Sequence, residues 1–474
     1  MRGLPVKFTD SGGIGAHYRQ VTVGTLPDVP LLEIFNFYVD ETGRSVGWWK
    51  LVHVCQRWRY IVFASQKRLR LQLCCTGDTP VRAVLDVWPA LPLVVSNRCR
   101  LKRIDILDNI VDALQHHDRV CEISFWYLPG WLLGSLATMA QGPYPELTSL
   151  ELRSDGESSP VLHNSFSGGS VPRLRTLVLD SVSFHGLPKL LLTASNLVQL
   201  HLHRIPNSGY ISPDAMVACV LTMNNLESFI LEYSSPLSHP YRASRRPPPP
   251  TRVVLPSLTH FSFHGTSEYL EEFLAQVDAP LLYSFYITFF NRPAAFDLSQ
   301  LPQFISRTEK IKALTQAALD LYDHDCVIEI TPSTQTRTAG EYRTLVLRVV
   351  SLGAGWQLSS LTQLCDLVWP LPSTLESLEI YKLPFGGTYS QWMELLSLFT
   401  AVKSLYLSKG IARRVVRTLQ GLTRESIVMD VLPSLRNIFV EGLKPTRSVH
   451  RAIGWFVATR QPSGHPLTVD DWVP

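Results

Sequence analysis

The 474-residue chain has no Cys-x-x-Cys pair, no His-Glu-x-x-His, no Gly-x-x-x-x-Gly-Lys-[Ser/Thr] and no Gly-x-Ser-x-Gly. Zinc, metalloprotease, P-loop and α/β-hydrolase chemistry therefore have no foothold. No Asn-x-[Ser/Thr] site occurs, and no apolar run approaches the ~18 residues needed to cross a bilayer. The longest apolar stretch of interest, residues 131–140, has the length of a core segment. The N-terminus lacks an apolar h-region and carries Asp10, so it does not read as a secretory signal. Charge is sparse as well: charged residues make up 18% of the chain and the formal net charge is +4. With 45% hydrophobic content, wholesale disorder is excluded, because a disordered chain needs low hydrophobicity and high charge. The length suffices for a large core, and length alone suggests about three domains.

Eight cysteines are scattered, apart from the vicinal Cys74 and Cys75. In a long chain that scatter reads as reduced, mostly buried thiols, and the expected compartment is cytoplasmic, nuclear or both. Gly12, Gly13 and Gly15 form a Gly-rich cluster with no strand before it, so residues 1–23 are expected to be a flexible tail. His116, His117 and Asp118 are adjacent, and adjacent helical positions do not face each other. They read as a solvated helix terminus. No catalytic residues, metal site or cofactor are expected. From Lys50 to Arg103, Lys and Arg outnumber acids 11 to two. Solvated helix faces, contacts to an acidic protein and a nucleic-acid patch are all open there, the last without any reader motif.

Residues 26–39, LPDVPLLEIFNFYV, form a helix that Asp28 can cap and whose first turn tolerates Pro30. Leu32, Phe35 and Val39 make one row, while Leu31, Ile34 and Tyr38 make an adjoining one. More than one face is apolar, which exceeds what a self-contained domain leaves on a surface helix. In the following WWKLVHVCQRWRYIVFASQKRLRLQL, Leu51, Val54, Cys55, Trp58, Ile61 and Val62 keep a 3.6-residue period, predicting one helix. So small a helical unit cannot bury this surface alone, and docking to another protein is the expectation.

These residues resemble the F-box, the short helical module that docks substrate receptors onto the Skp adaptor of SCF ubiquitin ligases. The matching positions are Leu26, Pro27, Leu31, Leu32, Ile34 and Phe35, followed by Leu51, Val54, Cys55, Trp58 and Arg59. The run from 24 to about 95 is similar to F-box proteins of mushroom-forming fungi. Pro30 departs from the family's usual helix former, and residues 40–49 make a long connection between the helices. The resemblance implies a Skp-family adaptor and, through it, a cullin as partners, with Leu26 to Trp58 of this set as adaptor-binding residues.

From residue 120 onward a hexad L-x-x-L-x-L recurs. It starts at Val120, Leu147, Leu174, Leu197, Leu226, Leu258, Leu282, Leu375, Val402 and Leu435, with weaker copies at Leu314 and Tyr342. Intervals run from 23 to 33 residues, and Pro145, Pro172, Pro256, Pro280 and Pro433 each sit two residues ahead of a hexad, with Pro372 nearly so. Amphipathic helical stretches such as EYLEEFLAQV, QWMELLSLF and RRVVRTLQGL lie between. Strand-then-helix units of this period resemble leucine-rich repeats, although the Asn usual after the third apolar position is missing. A doubly wound α/β domain is the rival, less favoured for want of a nucleotide fingerprint.

The expected class is α/β: a flexible tail at 1–23, a helical F-box at 24–75, a connecting segment or first cap at 76–118, and an irregular horseshoe-like solenoid at 119–474. Residues 239–252, with four consecutive prolines, read as an exposed Pro-rich loop, and 331–343 as a hairpin connection. Side chains alternating with the hexad leucines would face a protein client. One such row runs from Glu151, Val178 and His201 to Tyr286, Glu379, Tyr406 and Phe439, and the next includes Tyr381. Tyr286, Tyr381, Tyr406 and Phe439 are the aromatic anchors expected to bind client. The function expected is that of a non-catalytic substrate receptor of an SCF-type ubiquitin ligase, with no membrane association. A scaffold outside a ligase, a nucleic-acid binder using residues 50–103 and an unrecognised hydrolase are the alternatives.

Overall fold

The computed structural model describes residues 23–42, 47–97, 106–128, 142–154, 161–162, 164, 166, 170–235, 251–290, 298–322, 325–332, 344–350, 357–367, 371–381, 388–412, 415, 431–442, 447–460 and 467–472. The tail, the Gly-rich cluster, most of the Pro-rich loop and most of RRVVRTLQGL lie outside them. The chain divides into two compact units, residues 1–74 with 83–94, and residues 75–82 with 95–474. The stretch 76–118, expected as a connecting segment or first cap, is shared between the two.

In the first unit, α1 (Asp28–Thr42), α2 (Gly47–Val52), α3 (Gln56–Ala64) and α4 (Gln66–Leu69) pack around Leu31, Leu32, Phe35, Val39, Leu51, Val52, Ile61 and Val62. The single helix expected across residues 48–62 is two helices. His53 N–H donates to Lys50 O and Val54 N–H to Leu51 O, tightening the last turn of α2. Cys55 is extended at φ −161°, and Arg59 Nε donates to Val52 O at 3.0 Å, satisfying a carbonyl at the helix end. The break turns Val54 and Cys55 out of the apolar stripe. Trp48 is fully buried, donates Nε1–H to Gln72 O at 2.8 Å, and meets Trp88 edge-on at 5.3 Å. That contact is one reason residues 83–94 belong to this unit.

In the second unit the strands are β3 (Val120–Leu128), β4 (Ser149–Ser154), β6 (Thr176–Asp180), β8 (Gln199–Ile205), β9 (Ser228–Tyr233), β11 (His260–Gly265) and β13 (Ser284–Phe290). They continue with β14 (Gln316–Leu321), β15 (Asp325–Thr331), β16 (Thr344–Val350), β17 (Ser377–Ile380), β18 (Ser404–Leu407), β19 (Asn437–Glu441) and β20 (Thr468–Trp472). Further strands are β1 (Leu73–Cys75) and β2 (Leu93–Asn97), with the two-residue β5 (Val161–Leu162), β7 (Ser183–Phe184), β10 (Val253–Val254) and β12 (Val277–Asp278). Every hexad starts on, or two residues ahead of, a strand of the main sheet.

The hexad explains why these segments become neighbouring strands. Its first, fourth and sixth positions are buried, as at Leu147, Leu150 and Leu152, or Leu226, Phe229 and Leu231. Fully burying each such side chain stabilises by about 1.5–3 kcal/mol. At the fourth position Phe229, Phe261 and Phe285 stack in successive strands, with centroids 5.2 Å apart, and Phe273 of the helix Ser267–Leu274 lies against the first two at 5.8 and 5.7 Å. The helices therefore cover the leucine side of the sheet. The lead-in prolines occupy the second position of a tight turn: Leu147 N–H donates to Tyr144 O, Leu174 to Val171 O, Leu258 to Leu255 O and Leu435 to Leu432 O. Proline's fixed φ suits that position, and its missing N–H is not needed there.

Up to β13 each strand pairs in parallel with the next repeat's strand. There the succession breaks. The order continues β13, β16, β15, β14, β17, β18, β19, β20. β15 is antiparallel to both β14 and β16, while β16 lies parallel to β13 and β17 parallel to β14. The weak hexads at Leu314 and Tyr342 are real strands, but an unforeseen strand lies between them and the three are laid down in reverse order. Thr331 ends β15, so the expected 331–343 loop begins a residue later and joins an antiparallel pair.

Candidate functional site

Two surfaces, one on each unit, carry the residues singled out from the sequence. On the first unit, α1 buries Leu31, Leu32, Phe35 and Val39, yet its opposite side is also apolar. Val29 is 65% exposed, Ile34 50% and Phe37 66%, with Pro30 exposed beside them. Pro30, Ile34 and Phe37 step by four and three residues, which places them on one stripe. Val54 (57%) and Cys55 are also exposed in this unit. The residues expected to bind an adaptor thus split. Pro27, Ile34, Val54 and Cys55 are exposed, Leu26 and Trp58 are half-buried, and Leu31, Leu32, Phe35 and Leu51 are interior. The interior four pack inside the unit, where the Phe35 ring lies 4.7 Å, centroid to centroid, from that of the half-buried Trp58. Phe37 and Val29, which lie outside the set expected from the sequence, belong to the exposed stripe, and the 3.6-residue period alone could have found them.

The entry to α1 is clamped from α3. Arg57 Nη2 donates to Asp28 Oδ1 at 2.6 Å and to Leu26 O at 2.5 Å, and Arg68 pairs with Glu33. Arg82 pairs with Asp112. Several cations of the basic 50–103 stretch are therefore engaged by the protein's own acids and carbonyls, and residues 98, 100, 102 and 103 lie outside the described residues.

On the second unit, the sheet side away from the helices carries the rows of alternating side chains. In-register pairing aligns Glu151, Val178, His201, Ile230, Ser262 and Tyr286, then Val346, Glu329 and Ala318, then Glu379, Tyr406, Phe439 and Asp470. The row read from the hexads is present, with three further residues supplied by the reversed strands. Tyr286, Tyr381, Tyr406 and Phe439 are all half-buried, and Tyr406 stacks on Phe439 at 4.6 Å and 10°. Val178 is buried and contributes little accessible surface.

Electrostatics differ along this face. In β4 to β11 the carboxylates have cationic or imidazole partners. Glu151 accepts from Arg153 Nε at 2.7 Å and Ser124 Oγ at 2.9 Å, Asp180 takes Arg204 through two bonds of 2.7 and 2.8 Å, and Glu232 meets His203 Nδ1 at 2.9 Å. Burial resists ionisation of Glu151, but the bonds from Arg153 and Ser124 outweigh it and its carboxyl lies below the usual range. Burial, then nearby His203, His260 and Arg153, pushes His201 down to about 4, and burial lowers His260 and His264 too. At neutral pH His201 is an uncharged imidazole within 2.9 Å of Ser228 Oγ. Among the described residues no group of three or more His, Cys, Asp or Glu is placed to hold a metal ion, and no helix is long and apolar enough to cross a membrane.

No protein-family model and no curated protein matches the chain. Among solved structures it is similar to the crystal structure of the leucine-rich repeat-containing protein LegL7 from Legionella pneumophila. The identity is 12% over 84% of this chain and 99% of that one, with a TM-score of 0.28. At that score the likeness is too loose to bear on function, and the repeat architecture stands on its own strands and turns.

Proposed function

We propose that this chain is a non-catalytic substrate receptor of an SCF-type ubiquitin ligase. Its helical unit would dock a Skp-family adaptor, and through it a cullin, while the leucine-rich-repeat-like sheet face holds a protein client. The observation that carries the reading is the second apolar stripe of α1, Val29, Pro30, Ile34 and Phe37, turned to solvent on a helix whose other side is already packed. A helix apolar on both sides supports a protein partner as occupant, and the Leu26-Pro27, Ile34-Phe35 and Val54-Cys55-x-x-Trp58-Arg59 set supports the adaptor in particular. The contribution to ubiquitin transfer would be positional, raising the client's effective concentration near the charged enzyme.

The test is co-expression with a fungal Skp adaptor and pull-down, comparing the native chain with Ile34→Asp and Trp58→Ala. Equimolar recovery of the native chain, lost with Ile34→Asp, is expected; no complex with the intact chain overturns the reading and leaves an interaction scaffold outside a ligase. Reconstituted transfer of ubiquitin to a captured client separates the ligase from that scaffold. Nucleic-acid binding through residues 50–103 is disfavoured by the internal pairing of Arg57, Arg68 and Arg82.

A further inference from the structure

The carboxylates of the sheet face change character beyond the point where strand order reverses. Glu329, Glu379 and Asp470 lie in one row across β15 to β20, and among the described residues none of them meets a Lys, Arg or His. Asp320 and Glu441 stand in the neighbouring row of the same side. Arg348 on β16 is taken by Asp325, and Lys409 reaches Glu441 through its backbone N–H at 3.0 Å. Partial enclosure, and then the nearby Asp320 and Glu379 carboxylates, raise the pKa of Glu329, so Glu329 and Glu379 repel each other. The same face between β4 and β11 does the opposite, matching Glu151, Asp180 and Glu232 with Arg153, Arg204 and His203. Between Glu379 and Asp470 sits the stacked Tyr406–Phe439 pair, whose accessible edges suit aliphatic stems and whose faces attract cations.

We propose that this half of the sheet face, Glu329, Glu379 and Asp470 around Tyr406 and Phe439, binds an extended Lys/Arg-rich segment of a protein partner. The inference rests on the reading of the sheet face as the client-binding surface and names the client's chemistry. Complementarity of charge selects the occupant: a row of carboxylates with no counter-charge among the described residues is a poor surface for an acidic or a neutral apolar segment. Five strand spacings separate Glu329 from Asp470, about 24 Å, the reach of roughly seven extended residues. A nucleic acid is excluded by the same charges.

The test is selection of the full-length protein, complexed with its adaptor where one is needed for solubility, against a displayed random library of peptides of about 12 residues, longer than the span requires. The comparison proteins are Glu329→Gln/Glu379→Gln/Asp470→Asn and Tyr406→Ala/Phe439→Ala, each checked for unchanged thermal unfolding. Enrichment of Lys/Arg-rich peptides by the native protein, with affinity about tenfold weaker for the neutralised variant and strongly salt-dependent, is expected. Peptides without basic bias that still need Tyr406 and Phe439 would overturn the charge inference while leaving the client surface in place. No peptide dependent on either set of substitutions would overturn both.

Discussion

Glu271 offers a sharp test of how the second unit is held together. It sits in the helix Ser267–Leu274, is only 7% exposed, and reaches across to the next helix, Gln300–Arg307. There Oε2 accepts Gln300 N–H at 2.6 Å and Oε1 accepts Leu301 N–H at 2.9 Å, with Ser299 Oγ at 3.3 Å. One carboxylate thus caps a helix whose own N-cap residue, Ser299, makes no side-chain cap bond. A hydrogen bond to a charged group contributes about 1.5–3 kcal/mol, and a buried donor left without a partner costs about 1–3 kcal/mol. Removing two such bonds would cost about 4 kcal/mol, but part is returned because a buried carboxylate no longer needs desolvating. We expect Glu271→Ala to destabilise by about 2 kcal/mol. Burial outweighs the hydrogen bonds from Gln300, Leu301 and Ser299 and raises the carboxyl above its ordinary 4.5. The folded state therefore holds the proton more tightly than the unfolded chain, and native stability from this group is greatest below 4.5 and is lost as pH rises through the folded value. Glu271→Gln, which cannot ionise and offers only one acceptor, should show its largest deficit near pH 4 and a shrinking one as pH rises. Urea unfolding at several pH values measures both. A Glu271→Ala variant within about 0.5 kcal/mol of native, or a Glu271→Gln deficit independent of pH, would refute the argument.

Ile34→Asp should leave the unit folded, because half of Ile34 already faces water, whereas Leu31→Asp puts a charge in the core and should cost several kcal/mol; circular dichroism melts of the two variants compare them directly. Arg460 is fully buried and donates to Val431 O at 2.6 Å and Leu432 O at 2.9 Å, so Arg460→Met should destabilise by about 3 kcal/mol in urea titrations. His201 is depressed to about 4 from an ordinary 6.5, so its stabilisation is complete above 6.5 and declines as pH falls from 6.5 through 4. His201→Gln should therefore lose less in melting temperature than the native protein between pH 7.5 and 4.5; equal losses would count against it.

Much of the fold could be read from apolar spacing, because a period records which face of an element is buried. Leu150, Leu177, Leu200 and Phe229 occupy one hexad position and form one layer of the core. What spacing does not encode is the neighbour a strand chooses. Cys326, Ile328 and Ile330 alternate inward in β15 and could have disclosed a strand, yet only the pairing shows it running antiparallel between β14 and β16. The residues expected to bind an adaptor could be picked out by composition but not sorted by exposure. Leu31, Leu32, Phe35 and Leu51 look no different in sequence from Ile34 and Val54, and the turn at His53–Cys55 sorts the last from the first. The pairing of Glu151, Asp180 and Glu232 with Arg153, Arg204 and His203, against the absence of any described cation at Glu329, Glu379 and Asp470, could not be read from charge counts at all.

The reversed trio β16, β15, β14 has a kinetic meaning. In a stack whose neighbours in space are also neighbours in sequence, ordering can spread from either end one short loop at a time. Here β13 must wait for β16, and β17 for β14, each across the whole intervening meander, so two local growth fronts meet at a splice that closes only as a three-strand piece. Ordering of the β17–β20 side and of the β3–β13 side should thus proceed as separate events, with joining at the meander the slow one. A truncation inside β14 to β16 would strand both fronts, where removal of a terminal strand would shorten only one.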